Sequence, residues 1–161
     1  MPEAHDGVAP DPLRDEWPGG AQDELTLAAQ VEEITRASQW LDDLAERDGW
    51  SERARFTLQL GLEEALVNIV SYGYPQPGGE ARIRLGYRHD EGMARLRIAD
   101  NGIPFDPTGL ADPEAPASVE EAKVGGHGVQ LMRHLLDEFS YCRRDGNNLL
   151  ILGRRTSASD S

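Results

Sequence analysis

Between Gln30 and Glu46 apolar residues recur at Val31, Ile34, Ala37, Trp40, Leu41 and Leu44. Those steps of three and four stack them on one helical face, with Glu32, Glu33, Asp42, Asp43 and Glu46 mostly elsewhere. Gly49 is a stop signal for that helix. Ser51 is placed to cap a second helix of about 20 residues, ending near Tyr72-Gly73. Ahead of both, Leu25-Thr26-Leu27 reads as a short strand; behind them, Pro75, Pro77, Gly78 and Gly79 form a turn cluster.

The period then changes from 3.6 to 2. Ile83, Leu85 and Tyr87 alternate with Arg82, Arg84 and Gly86, and Leu96 and Ile98 alternate with Arg95 and Arg97. His89–Gly92 joins the two stretches, so they predict an antiparallel hairpin. Between Asp100 and Gly128 periodicity vanishes among Gly102, Pro104, Pro107, Gly109, Pro113, Pro116 and Gly125-Gly126. An unpatterned stretch of that length inside a compact domain is usually functional or mobile. Val129–Asp137 is helical again, and Phe139–Arg143 pairs with Leu149–Leu152 across Asp145-Gly146-Asn147. Strands that mostly neighbour one another in sequence argue for an α+β fold: a two-layer α/β sandwich with a mixed, mostly antiparallel sheet and helices on one face. A doubly wound parallel sheet is disfavoured, because β-α-β alternation is missing.

Charge and composition narrow the partners. The 161 residues hold 16 Lys+Arg against 29 Asp+Glu, a formal net charge of −13. Such a chain repels phosphate backbones and anionic lipid, so nucleic acid and membrane surfaces are poor partners. Its single cysteine, Cys142, allows no intrachain disulfide. Neither a membrane-length apolar run nor a signal peptide is visible, and a cytoplasmic location is expected. Residues 1–23, with four prolines and Gly19-Gly20, read as a disordered acidic tail in which Trp17 is the one misfit, able to dock on the domain or on a partner. The folded part is expected over 24–155, with 156–161 a flexible end.

Three clusters carry candidate chemistry. Glu64 and Asn68 lie four residues apart on one helical face, with Tyr72 a turn further on. A carboxylate and an amide so placed could hold a hard cation and position a hydroxyl proton, although the same spacing describes a solvated stripe. Asp100-Asn101-Gly102 follows a strand end, where an acid can accept from an amino group and glycine lets the backbone approach a ligand; it is also ordinary turn chemistry. Gly125-Gly126-His127-Gly128 runs into a helix, offering backbone N–H groups to phosphate, without the Lys-Ser/Thr of a P-loop.

The order of the three clusters is more specific than any of them. It resembles the Bergerat-fold ATP-binding domain of histidine kinases, gyrase and the heat-shock chaperones, with an N box, an adenine-binding G1 box, a lid and a phosphate-binding G2 box. Glu63–Tyr74, Asp100–Pro107 and Gly125–Glu138 are most similar to the anti-sigma-factor serine/threonine kinases of bacterial partner switching. The resemblance implies ATP and Mg²⁺ as cofactors. It implies Glu64 as the base for the incoming hydroxyl and Asn68 as the Mg²⁺ ligand. Asp100 would be the adenine acceptor, Gly102 its neighbour in the G1 box, and Gly126, His127 and Gly128 the phosphate-facing turn. Its partners would be a small anti-sigma antagonist, as phosphorylation substrate, and a sigma factor, and it implies a homodimer, of which no seam is visible in the sequence.

Two departures bear on phosphotransfer. Pro104 replaces the last G1 glycine, and between Gly109 and Gly125 the lid offers only Lys123 as a cation. The alternatives are a nucleotide-gated anti-sigma or adaptor module without phosphotransfer, and a stand-alone histidine-kinase-type ATP-binding domain. His5, His89, His127 and His134 show no transition-metal spacing, and Arg82, Arg84, Arg95 and Arg97 are expected to form a solvated sheet face or, less simply, a docking face.

Overall fold

The computed structural model describes residues 20–74, 81–109 and 127–157. The expectations for residues 1–19, for the turn cluster from Pro75 to Gly79, for Lys123, Gly125 and Gly126, and for 158–161 lie outside the described residues. In chain order the elements are β1 (Asp23–Ala28), α1 (Glu32–Asp48), α2 (Glu52–Tyr72), β2 (Arg82–Asp90), β3 (Met93–Asp100), a 3₁₀ turn (Pro107–Gly109), α3 (His127–Leu135), β4 (Glu138–Arg144) and β5 (Asn147–Arg155).

Local chemistry sets the boundaries. Gly49 ends α1 in the left-handed conformation, φ 68°, as the stop signal required. Ser51 caps α2, its Oγ accepting from the Ala54 N–H at 3.1 Å. Both hairpins close on two residues at positive φ, Glu91-Gly92 and Asp145-Gly146, the geometry whose twist matches paired strands.

The sheet runs β1-β2-β3-β5-β4. Every pairing among the described residues is antiparallel, in keeping with the mostly antiparallel sheet expected. The last hairpin inserts β5, not β4, beside β3, so Asp100 faces Asn148 across the sheet. Residues alternate faces along each strand. Leu27, Ile83, Leu85, Tyr87, Leu96, Ile98, Leu150 and Leu152 therefore share the inner face, and they form one buried core with Leu41 and Leu44 of α1 and Leu58, Leu62 and Leu66 of α2.

Two details fix how closely the layers approach. A Cβ on Gly61, in the middle of α2, would lie 2.9 Å from Leu152 Cδ1 and 3.3 Å from Met132 Sδ. Hydrogen at that position lets α2 settle between the sheet and α3. At the other end of the core, fully buried Tyr87 donates to Asp48 Oδ2 at 2.6 Å and accepts from Trp50 Nε1 at 3.0 Å. Burial and the Asp48 carboxylate push the Tyr87 hydroxyl pKa up, so it stays protonated.

Both ends of the sheet are tied down by bonds to the backbone. Gly20 O accepts from Arg88 Nη1 at 2.8 Å, and the Gln22 N–H donates to Tyr87 O at 2.8 Å. Thr156 is buried, and its N–H donates to Gly92 O at 2.9 Å. The arginine face departs from expectation. Arg82 and Arg84 are exposed and Arg95 is half-buried, paired with Glu138 at 2.9 Å, but Arg97 is only 3 % exposed.

Candidate functional site

The inner face opens, at the Asp100 end of β3, into a cleft of about 620 Å³, part of it open to solvent. Its wall on the helix side is Ala65, Asn68, Ile69 and Tyr72 of α2 with Gly73 behind them. The sheet supplies Ile98, Asp100, Tyr141, Asn148 and Leu150, and the loop after β3 supplies Ile103, Phe105 and Pro107. A mostly apolar cleft with a few convergent polar groups is the usual form of a small-molecule site.

Asp100 is the buried charge in this cleft, 5 % exposed. Its Oδ1 accepts from the Gly102 N–H at 2.9 Å and from Asn148 Nδ2 at 3.0 Å. Both bonds go to one oxygen, so among the described residues Oδ2 is left to accept from a ligand. Burial raises the Asp100 pKa, and the Asn148 and Gly102 hydrogen bonds, with Arg143, pull it back. A carboxylate held in this way accepts strongly from a neutral N–H donor, because water does not compete for it.

Asn148 organises the site. Its Nδ2 also donates to Ile103 O at 2.7 Å. Its Oδ1 accepts from Tyr141 Oη at 2.5 Å, from Arg143 Nη1 at 3.0 Å and from the Phe105 N–H at 3.4 Å. The amide thus holds the backbone on both sides of Pro104. That accounts for a proline where glycine was expected: the neighbouring groups are already pinned, and the missing N–H interrupts no bond.

Gly102 has a steric reason to be glycine. A Cβ there would sit 2.5 Å from Gly73 O and 3.0 Å from Asp100 Oδ1. The Ile103 N–H donates to the same Gly73 carbonyl at 2.9 Å, so the end of α2 and the turn after β3 are locked together. Asn101 completes the lock: its Oδ1 accepts from Tyr74 Oη at 2.6 Å and from the Arg82 N–H at 3.0 Å.

The expected site residues divide. Asp100, Gly102 and Asn68 come together, Asp100 and Asn68 in the lining and Gly102 beneath Asp100. Glu64 stands one turn before Asn68, half-buried and outside the lining. His127 and Gly128 open α3, which leans on the cleft through Met132 and is tied to the 3₁₀ turn by Arg133 Nη2 donating to Thr108 O at 3.0 Å. Lys123 and Gly126 fall outside the described residues. Asn148, Tyr141 and Arg143 were not anticipated, since Asn147-Asn148 reads as turn chemistry until β5 is paired with β3. No group of three or more His, Cys, Asp or Glu that could hold a metal occurs among the described residues.

The chain is similar to known proteins over most of its length. The model of the histidine kinase-like ATPase domain matches residues 27–153. A serine/threonine-protein kinase, BtrW of Bordetella bronchiseptica, is 46% identical over 130 residues, covering 81% of this chain and 91% of that protein. The serine-protein kinase RsbW of Oceanobacillus iheyensis is 32% identical over 122 residues, covering 71% and 75%. Among solved structures, the RsbU and RsbW domains of a Mycobacterium tuberculosis protein share the fold, with TM-score 0.59 at 14% identity, over 83% of this chain and 32% of that one. The chain belongs to the histidine kinase-like ATPase family and, within it, to the serine/threonine-protein kinases.

Proposed function

We propose that the cleft binds ATP, and that the chain is an ATP- and Mg²⁺-dependent serine/threonine kinase and anti-sigma factor of a partner-switching pathway. Its substrate would be a small antagonist protein, and the unoccupied kinase would sequester a sigma factor. The observation that carries this reading is the buried Asp100 carboxylate at the floor of an apolar cleft, with one oxygen saturated by Asn148 and Gly102. That floor suits a flat heteroaromatic ring with an exocyclic amino group, which Asp100 Oδ2 accepts while Ile98, Ile103 and Leu150 sandwich the ring.

The polar end of the cleft fits a triphosphate carried with its ion. Asn68, in the cleft lining, supplies an amide oxygen, a hard donor suited to Mg²⁺, which takes few protein ligands and keeps phosphate and water for the rest. The absence of a carboxylate cage among the described residues agrees with an ion that arrives on the nucleotide. When bound, Mg²⁺ would neutralise charge on the phosphates. Asn68 would orient it, backbone N–H groups at Gly126 and Gly128 would face the phosphates, and Lys123 would add a point charge. Glu64 would take the proton of the attacking serine or threonine hydroxyl.

The position of Glu64 outside the lining is the observation that favours a nucleotide-gated binder without phosphotransfer. Labelled ATP, Mg²⁺ and the candidate antagonist separate the two readings. Label on the antagonist, lost in Asn68→Ala and in Glu64→Ala, supports the kinase. ATP binding with no transfer leaves the gated binder. Asp100→Asn is expected to weaken ATP about 10- to 100-fold, the worth of one hydrogen bond to a buried charge; unchanged affinity by calorimetry sinks the assignment of the cleft.

A further inference from the structure

Three strands bring an acid, an amide and a guanidinium into one row across the inner face of the sheet. Asp100 at the end of β3 is paired with Asn148 of β5, and Asn148 is paired with Arg143 of β4. Paired residues point to the same face about 5 Å apart, so the three side chains lie abreast. A long cation on an edge strand ordinarily extends into water. Arg143, exposed as a residue, instead turns Nη1 inward, where it donates to Asn148 Oδ1 and to Gly102 O, each at 3.0 Å. It lies outside the cleft lining, so whatever it does for a ligand it does through those two residues.

Those two residues are the ones that hold Asp100. The Gly102 N–H and Asn148 Nδ2 donate to Asp100 Oδ1, at 2.9 and 3.0 Å. A guanidinium has donors only, so the Arg143 bond fixes which end of the Asn148 amide faces β4, and with it which end faces Asp100. Tyr141 Oη, 2.5 Å from the same amide oxygen, does not fix it, because a hydroxyl turns to donate or to accept. The Phe105 N–H also only donates, but from 3.4 Å. We propose that Arg143 is a positioning residue for the nucleotide base: by holding Asn148 and Gly102 together, it keeps Asp100 Oδ2 turned to the base. The inference rests on reading the cleft as the ATP site. Charge acts in the same direction. The titratable side chains around Asp100 are Tyr72 and Tyr74 from the end of α2, and Tyr141 and Arg143 from β4. Burial raises the Asp100 pKa, and among the described residues Arg143 is the cation that draws it back toward the carboxylate range.

The test is the affinity of the full chain for ATP with Mg²⁺, measured by calorimetry at about pH 6 and about pH 8. Arg143→Met and Arg143→Lys are compared with the parent and with Arg155→Met, the same charge change at the exposed far end of β5. Urea unfolding without nucleotide checks that each variant is folded at both pH values. Arg143→Met is expected to bind ATP about tenfold more weakly than the parent at the higher pH, from the loss of one charge-assisted hydrogen bond in the frame around Asp100. The deficit widens at the lower pH. Without the cation the Asp100 pKa rises, so the accepting carboxylate is lost sooner as pH falls. Arg143→Lys keeps the charge and restores the parent's pH dependence, while its rotatable ammonium recovers affinity only in part. Parent affinity in Arg143→Met overturns the proposal, as does a loss that pH does not alter, because Arg143 then serves the scaffold alone. A parent that binds no ATP, or parent affinity in Asp100→Asn, overturns the assignment of the cleft and this proposal with it.

Discussion

Changing Asn148 to aspartate alters one atom in the centre of the site and turns a donor toward Asp100 into an acceptor. The Nδ2 now 3.0 Å from Asp100 Oδ1 and 2.7 Å from Ile103 O becomes a carboxylate oxygen. Two like charges about 3 Å apart repel by about 5 kcal/mol at an effective dielectric constant of about 20. Arg143, which already donates to Asn148 Oδ1 at 3.0 Å, keeps its bond and offsets part of this. The bond to Ile103 O is lost at a cost of about 1 kcal/mol. The net penalty at neutral pH is about 3 to 4 kcal/mol, a large share of the ~5–15 kcal/mol that holds a domain of this size.

The penalty is pH-dependent in a defined direction. In the folded variant the paired carboxylates share a proton, so one titrates above the about 3.9 of an unfolded aspartate. Between those two values the folded state binds more protons than the unfolded one, and stability falls as pH rises. Urea unfolding at about pH 5 and about pH 8 should therefore show a gap between variant and parent that widens with pH. Asn147→Asp is the control, since Asn147 Nδ2 donates only to Asp145 O in the exposed turn. A variant as stable as the parent at the higher pH, or a gap that narrows as pH rises, refutes the geometry at Asp100.

Two further substitutions probe the scaffold. Gly102→Ala forces a Cβ to within 2.5 Å of Gly73 O, a backbone atom that cannot swing aside; a loss of about 1–3 kcal/mol in denaturant unfolding is expected, together with weaker nucleotide binding. Tyr87→Phe leaves the buried Trp50 Nε1 donor without its acceptor and removes one bond to Asp48; about 1–3 kcal/mol should be lost, with nucleotide affinity unchanged because the pair lies at the far end of the sheet.

The elements were legible because each obeys a local rule. The helical stripe of α1, the Ser51 cap and the two hairpins are fixed by period and by turn residues, and they fold where the pattern places them. The order of Glu64–Asn68, Asp100–Gly102 and the glycines before α3 was enough to indicate the family. Strand order was not legible: the same hairpin could lay β4 or β5 against β3, and local chemistry does not distinguish them. That choice sets Asn148 opposite Asp100 and turns an unremarkable turn residue into the centre of the site. The reason for Gly102 is likewise tertiary, because the atom that excludes a side chain there, Gly73 O, is 29 positions earlier in the chain. Burial of the outer face belongs to the same class. Alternation alone reads Arg95 and Arg97 as solvated, and only the packed sheet shows Arg97 laid flat over Gly86 and an apolar strip on β5 beyond it. Sequence determines which residues share a face, since that depends on near neighbours and a fixed period. What each face meets depends on contacts between distant parts of the chain, and the tertiary structure alone decides it.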